Sequence, residues 1–472
     1  MAFTDKPESA NEAQDHSQPL DDGGFFSLND VIMAGRHQIT RSEHLLAADT
    51  RRNVRNLLAS AKLLVLVVIV SLAMGVAAWA FLASLNIATD YREHHAWVYA
   101  LLPIVGMATA WVYKNHGLAA KRGNNLVIDS ALGTRLIHMR MAVLTFVCST
   151  LTHLTGGSAG REGAAVQIGG IASNISSLAH LKKHDHHDLM LAGISSAFGA
   201  VFGSPLAGAF FGMEMCFIGK IDYTAGIYCL VASFTGYFTS IALGTEYEAN
   251  VIVSVPAMTP KTVVIVVISA IIFGLTARLF AWSVRIVKSL YGRFITNYLV
   301  RALIGALVVL AAYALLDAWD YAGLSTWLSG AGFAGNTTLA DAAIKLVVTA
   351  LTLGAGFQGG EVTPLFGIGA ALGGWIGCLT GLDPSFLAAL GMLGVFCAGL
   401  NVPITTCIMA IDLFHGTAAG FFVIVAFISY LTGGHRGVYP AQRIISPKRR
   451  SLIVDEGGTV ADAIERHNDL IE

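Results

Sequence analysis

The chain has 472 residues, 54% of them hydrophobic and only 13% charged, with a formal net charge of −1 and a mean hydropathy of +0.63. Soluble domains carry about 25% charged residues, so this composition excludes an ordinary soluble protein and predicts a polytopic membrane protein. The near-zero net charge supplies no basic footprint, and no nucleic-acid partner is expected.

In chain order, residues 1–24 are polar and mildly acidic, lack a leader pattern and read as a disordered tail, taken to extend over 1–52. Arg51, Arg52, Arg55 and Lys62 flank the first long apolar run, 63–82. Lys448, Arg449 and Arg450 follow the last one, and the excess of positive charge on the inner side then places both termini in the cytoplasm. Runs 97–112, 262–275 and 302–316 approach the ~20 apolar residues a helical span needs. Others are short and broken by Gly or Pro: 199–219, 364–379, 387–400 and 403–413. None alternates polar and apolar residues, as barrel strands do, so the expected fold class is all-α. The 50 glycines suit close helix contacts and interrupted helices.

The six cysteines (Cys148, Cys216, Cys229, Cys378, Cys397, Cys407) lie in apolar segments without metal-type pairing and read as buried free thiols. His180, His184, His186 and His187 stand among Lys182, Lys183, Asp185 and Asp188 and read as a solvated loop rather than a metal site. The glycine-rich run 368–374 lacks the strand–helix context of a dinucleotide site and reads as helix packing. No cofactor and no metal are expected.

The most informative run is Gly160-Arg161-Glu162-Gly163, which opens the apolar stretch 164–175. A buried helix N-terminus offers unpaired N–H groups and the positive end of a dipole, which suits an anion. A carboxylate at the same spot competes with that anion and can carry a proton, and ionisable groups inside a membrane are costly and functional. Anion transport coupled to protons is the function this pattern points to.

Two halves of the chain echo one another at an offset of roughly 200 residues. Gly156-Gly157-Ser158-Ala159-Gly160-Arg161-Glu162-Gly163, followed by Ile168-Gly169, matches Gly356-Phe357-Gln358-Gly359-Gly360-Glu361-Val362-Thr363-Pro364, followed by Ile368-Gly369. Farther on, Glu214 lies nine residues past Pro205 and Asp412 nine past Pro403. Repeated halves with broken helices at matching places point to a substrate site where the halves meet, because irregular backbone at membrane depth is tolerated only when buried or lining a cavity.

These residues resemble the CLC chloride channel and transporter family over about residues 53–446. Gly160 to Gly163 is similar to its gating-glutamate motif, Phe202 to Gly208 with Glu214 to its Pro-Leu-Ala-Gly helix, and Gly434 to Tyr439 to the segment bearing its pore tyrosine. Gly123-Asn124-Asn125-Leu126-Val127 departs from the family's Gly-Ser-Gly-Ile-Pro, and Gly360-Glu361-Val362-Thr363-Pro364 from its Gly-x-Phe-x-Pro. Met215 stands where an inner proton-transfer glutamate of chloride/proton exchangers would fall. The two altered loops are similar to the fluoride/proton antiporter branch, CLC-F, although Ala164 stands where that branch has Thr and the wider family Pro.

The resemblance implies a CLC fold: two inverted-topology repeats, about 53–245 and 260–446, with broken helices meeting at a midplane anion site. It further implies a homodimer in the cell (inner) membrane, with 447–472 a short cytoplasmic tail carrying no CBS domains. The expected activity is fluoride export coupled to proton import and gated by Glu162, with Glu361 as a second proton stop. Gly123, Asn124, Gly160, Arg161, Gly163, Val362, Thr363 and Tyr439 are the candidate anion-binding residues. Asn124 and Thr363 would supply the donors that small, strongly hydrated fluoride needs in place of water. The residues themselves also allow a CLC chloride channel or chloride/proton antiporter. A remote alternative is an intramembrane serine hydrolase, since 156–160 fits the G-x-S-x-G pattern around Ser158, with His153, His138 or His415 as base.

Overall fold

The structure, a computed structural model, describes residues 28–117, 122–135, 137–247, 249–448 and 458–469. The polar segment 1–24 lies outside them, and the tail expected over 1–52 is helical from Leu28. The chain divides into two compact units, Met1–Ala61 and Lys62–Glu472. The described part of the first is the beginning of helix α1 (Leu28–His94); everything below concerns the second.

The described residues are mostly helical, with two strands of two residues each, as their apolar runs without period-two alternation predict. By length and composition five stretches can cross a membrane: Arg52–His94, Ala96–Asn115, Pro260–Phe294, Tyr298–Leu316 and Val362–Thr380. The second includes α2 (Leu102–Asn115). Between α2 and the third come α3 (Asn124–Ala131), α4 (Met139–Leu154), α5 (Glu162–Gly169), α6 (Ile171–Leu178), α7 (Lys183–Phe202), α8 (Pro205–Glu214) and α9 (Gly226–Ala242). The other three long stretches are α10 (Pro260–Phe294), α11 (Tyr298–Leu316) and α14 (Val362–Thr380), with α12 (Trp327–Phe333) and α13 (Leu339–Ala355) between the last two. There follow α15 (Pro384–Leu400), α16 (Pro403–Phe414), α17 (Ala419–Gly433) and α18 (Val460–Asp469).

The breaks fall where the sequence places them. Pro205 and Pro403 occupy the first turn of α8 and α16, where a missing N–H costs nothing. At 1.5 Å per residue, the eight residues of α5 reach about 12 Å, well short of a ~30 Å hydrocarbon core. Glycines let neighbouring helices touch through backbone: a carbon added at Gly369 of α14 would stand 2.2 Å from the carbonyl of Gly391 in α15. Phe198, Phe202 and Phe211 of the first half meet Phe366 and Phe396 of the second in one aromatic cluster.

The two halves make reciprocal contacts, the signature of a two-fold relation. Gly160 N donates to Gly360 O at 2.7 Å and Gly360 N to Gly160 O at 2.6 Å. Glu214, at the end of α8, accepts from the backbone N–H groups of Ile404 (3.1 Å) and Thr405 (2.7 Å) and from the Thr405 hydroxyl (2.7 Å) at the start of α16. Asp412, near the end of α16, accepts from Ala207 N at the start of α8 at 2.9 Å. Each acid therefore satisfies orphan donors at the other half's broken helix. Replacing Glu214 by Ala strands the N–H groups of Ile404 and Thr405 and the buried Thr405 hydroxyl and should cost about 2–4 kcal/mol, while Asp412→Ala should cost about 1 kcal/mol. Thermal unfolding in detergent ranks the two.

Two sequence expectations are corrected here. The histidine run is solvated only in part: His180 and Lys182 are exposed and precede helix α7, which starts at Lys183, and His184 is exposed on its first turn, but the helix periodicity turns His186 and His187 inward. His186 meets the Ser176 hydroxyl at 2.8 Å and Ser130 O at 3.2 Å; His187 meets Ala131 O at 2.6 Å and the Asp222 carboxylate at 3.0 Å. No metal-binding group of His, Cys, Asp and Glu occurs among the described residues. The cysteines are free, but Cys378, near the end of α14, is exposed and Cys407, on α16, is half-buried.

Candidate functional site

Beyond the Gly160–Gly360 bridge, both segments turn directly into helices. Glu162 is the first residue of α5 and Val362 the first of α14, so two helix beginnings lie side by side. The Glu162 side chain does not cap its own helix. It crosses to the other half, where Thr363 N donates to Oε2 at 2.9 Å and the Thr363 hydroxyl donates to Oε1. Thr363 N is one of the donors that the first turn of α14 leaves unpaired, and the dipole there favours negative charge. The carboxylate, 2% exposed, is thus the negative group that this helix beginning holds. Arg161 Nε lies 3.5 Å from Glu162 Oε1, an ion pair without a hydrogen bond, and Arg161 N donates to the Thr363 hydroxyl at 3.5 Å.

At the start of α5 a second group converges. Asn124, the first residue of α3, donates through Nδ2 to the Tyr439 phenol at 3.1 Å. A carbon added at Gly163 would stand 2.9 Å from Asn124 Nδ2 and 3.3 Å from Glu361 Oε2, so Gly163 keeps these groups and the helix start within reach of one another. Gly123 adopts φ +56°, a left-handed turn that brings the chain back into α3. Asn124 Oδ1 and Glu361 Oε2 are buried without a hydrogen-bond partner. Such orphans are costly unless a proton, water or ion completes them.

Tyr439 is fixed from behind. Strand β1 (Phe217–Ile218), just past α8, pairs in parallel with β2 (Arg443–Ile444). Gln442 donates to Met215 O at 2.9 Å and Leu400 O at 2.8 Å, Val438 N donates to Gly399 O at 2.9 Å, and Asn125 accepts from Ala441 N at 3.0 Å. Met215 is fully buried, its carbonyl anchoring this segment; Ala164 is fully buried in α5.

A cavity of about 200 Å³ opens beside this second group, lined among others by Asn124, Gln167, Arg285, Lys288, Glu361 and Tyr439. It can hold several waters at ~30 Å³ each, and cations in low-dielectric walls concentrate anions. The structure thus brings Gly160, Arg161, Glu162, Val362 and Thr363 together at the start of α14, and Gly123, Asn124, Gly163, Glu361 and Tyr439 together beside the start of α5. Sequence reasoning missed Gln167, Arg285 and Lys288. Gln167 was legible as a lone amide in an apolar helix, one turn past Gly163; it accepts from Thr145 at 2.9 Å. The hydrolase alternative finds no His base: Ser158 is fully buried and meets Thr349 and Lys345, while His153 meets Ser149 O and Ala159 O.

The family profile described as voltage gated chloride channel matches residues 105–434. The chain is 38% identical over 404 residues to the chloride/fluoride channel protein of Pseudomonas syringae pv. tomato, covering 84% of this chain and 89% of that one. It is 24% identical over 276 residues to the H(+)/Cl(-) exchange transporter ClcA of Vibrio cholerae, 54% of this chain and 58% of that one. Among solved structures, a CLC-type fluoride/proton antiporter superimposes with TM-score 0.79 at 32% identity, over 81% of this chain and 98% of that one. A slow cyanobacterial Cl-/H+ antiporter shares the fold, with TM-score 0.68 at 17% identity over 80% of this chain and 96% of that one. All-α architecture, paired interrupted helices and these matches agree: the chain is a multi-pass membrane protein and belongs to the CLC family of voltage-gated chloride channels and transporters.

Proposed function

We propose that this protein exports fluoride in exchange for protons, with Glu162 as both gate and proton carrier. The observation that carries the reading is the Glu162 carboxylate seated on Thr363 at the start of α14. An ion entering that seat must displace the carboxylate, and a protonated acid leaves it more readily than an ionised one. Competition of this kind couples the two ions without any state open to both. The fluoride assignment draws support from the 38% identical chloride/fluoride channel protein and from the fold match to a fluoride/proton antiporter.

In this reading Asn124 and Tyr439 donate to the ion in the second position, and the unpartnered Glu361 carboxylate is the second proton stop. Gly123, Gly160, Gly163 and Val362 keep backbone within reach of the ion, and Arg161 balances Glu162. The transport domain spans about 53–446, in a homodimer of the inner membrane with both termini cytoplasmic.

The test is efflux of fluoride and chloride from proteoliposomes, each ion followed by its own electrode while external pH is recorded. Fluoride efflux that drives protons inward, with chloride slower, supports the reading. Faster chloride efflux with proton movement assigns the chloride antiporter instead, and halide flux with no proton movement assigns a channel. Asn124→Ala removes one donor worth about 1 kcal/mol and should raise the fluoride concentration for half-maximal efflux roughly fivefold. Initial rates against internal fluoride measure this.

A further inference from the structure

Lys345, on α13, is fully buried and has no carboxylate partner among the described residues. Its ammonium donates only to neutral oxygens: Ser158 Oγ at 3.0 Å, Ser325 Oγ at 3.0 Å, Tyr321 O at 3.1 Å and Gly323 O at 2.9 Å. A cation buried in protein without a counter-charge is expensive. An apolar side chain of similar volume would fill the space without that cost, so the site calls for a reason to keep the charge.

Ser158 supplies it, because it lies in the loop that delivers Glu162. Lys345, Thr349 and Thr352 fall on one face of α13 at i, i+4 and i+7. Lys345 fills a lone pair of the Ser158 hydroxyl, whose oxygen is 2.8 Å from the Thr349 hydroxyl, and Ser158 N donates to Thr352 Oγ1 at 3.2 Å. Gly323 O accepts from Lys345 and also from Ala159 N at 3.4 Å, so the ammonium ties two segments together. The rest of the loop is held as closely: Tyr313 donates to Gly156 O at 2.7 Å, His153 meets Ala159 O at 3.1 Å, and Gly160 pairs with Gly360.

The lysine is not scaffolding common to both halves. At the equivalent place 200 residues earlier stands Thr145, which serves Gln167 and Tyr113 instead. At this pair of equivalent positions the charge is present only on α13, in the second half.

We propose that Lys345 is a positioning residue for the Glu162 gate: through Ser158 it fixes loop 156–160, and with it the point from which Glu162 reaches Thr363. This rests on the antiport reading above.

The experiment is the number of protons moved per fluoride in proteoliposomes of wild type, Lys345→Met, Ser158→Ala and the double variant. A merely structural role changes how many transporters are active and scales both fluxes together, leaving the ratio untouched. Expected is a ratio lowered by about twofold or more in each single variant, with the double variant no lower than the worse single, as for residues acting through one contact. Wild-type ratios in the single variants overturn the proposal, and so does a fully additive double variant. If Lys345→Met does not fold, Ser158→Ala alone decides: a native ratio there overturns the proposal. Absence of fluoride-linked proton movement in the wild type instead fails the antiport reading, and Lys345 falls with it.

Discussion

Glu162→Gln should abolish proton coupling while leaving a path for the halide. The amide keeps the size of the acid and can still accept from Thr363 N, which donates to Glu162 Oε2 at 2.9 Å. It cannot gain or lose a proton, so the one step that ties proton to anion disappears. In proteoliposomes with a fluoride gradient, external pH should stay at the drift of empty vesicles. Fluoride efflux should persist, and its rate should lose its dependence on the proton gradient. Proton movement at wild-type stoichiometry in Glu162→Gln would place the carrier elsewhere, with Glu361 as the next residue to change. The charge relation sharpens the expectation: the variant leaves Arg161, 3.5 Å from the carboxylate, without its anionic partner, which should favour a halide in competition with the neutral amide.

The second large effect belongs to Gly360. A carbon added there would stand 2.5 Å from Gly163 N and 3.2 Å from Glu162 N. Both are backbone atoms at the start of α5, so no rotamer change relieves the overlap. Relief requires the two halves to separate at the Gly160–Gly360 bridge, losing reciprocal bonds of 2.7 and 2.6 Å. Overpacking of this kind costs about 1–3 kcal/mol, and the lost bonds about 1 kcal/mol each. Gly360→Ala should therefore lower the unfolding temperature by several degrees and stop halide transport, since the same shift moves Glu162 away from Thr363. Gly330→Ala is the internal control: nothing stands within 4 Å of its added carbon, so folding and transport should remain as in the wild type.

Much of the architecture was legible in the sequence because the repeat writes it twice. The offset of about 200 residues that aligns Gly160 with Gly360 also names the residues that touch, and the acids nine positions past Pro205 and Pro403 turn out to serve each other's helices. Composition gave the membrane class, and Gly and Pro positions gave the helix breaks. What the local pattern could not give was the partner of each group. That Glu162 reaches across to Thr363 rather than capping α5 follows from how two distant segments approach, not from either segment alone. The cavity cations Arg285 and Lys288 lie near the end of a long apolar helix and look, in sequence, like ordinary interfacial charges. Lys345 was visible as a charge inside an apolar run, but its meaning depends on Ser158, 187 positions away. The histidine run misled for the opposite reason: its polarity suggested solvent, while the onset of α7 at Lys183 turned His186 and His187 towards buried partners.

The most direct measurement of the central claim, that halide and carboxylate compete for one helix beginning, is proton uptake on fluoride binding. Calorimetric titration of purified protein with fluoride, in two buffers of differing ionisation enthalpy, reads it without any membrane. Expected is a binding heat that changes with buffer in the wild type, reporting protons taken up as the ion displaces the acid, and no such dependence in Glu162→Gln. Fluoride binding to the wild type with the same heat in both buffers would contradict it.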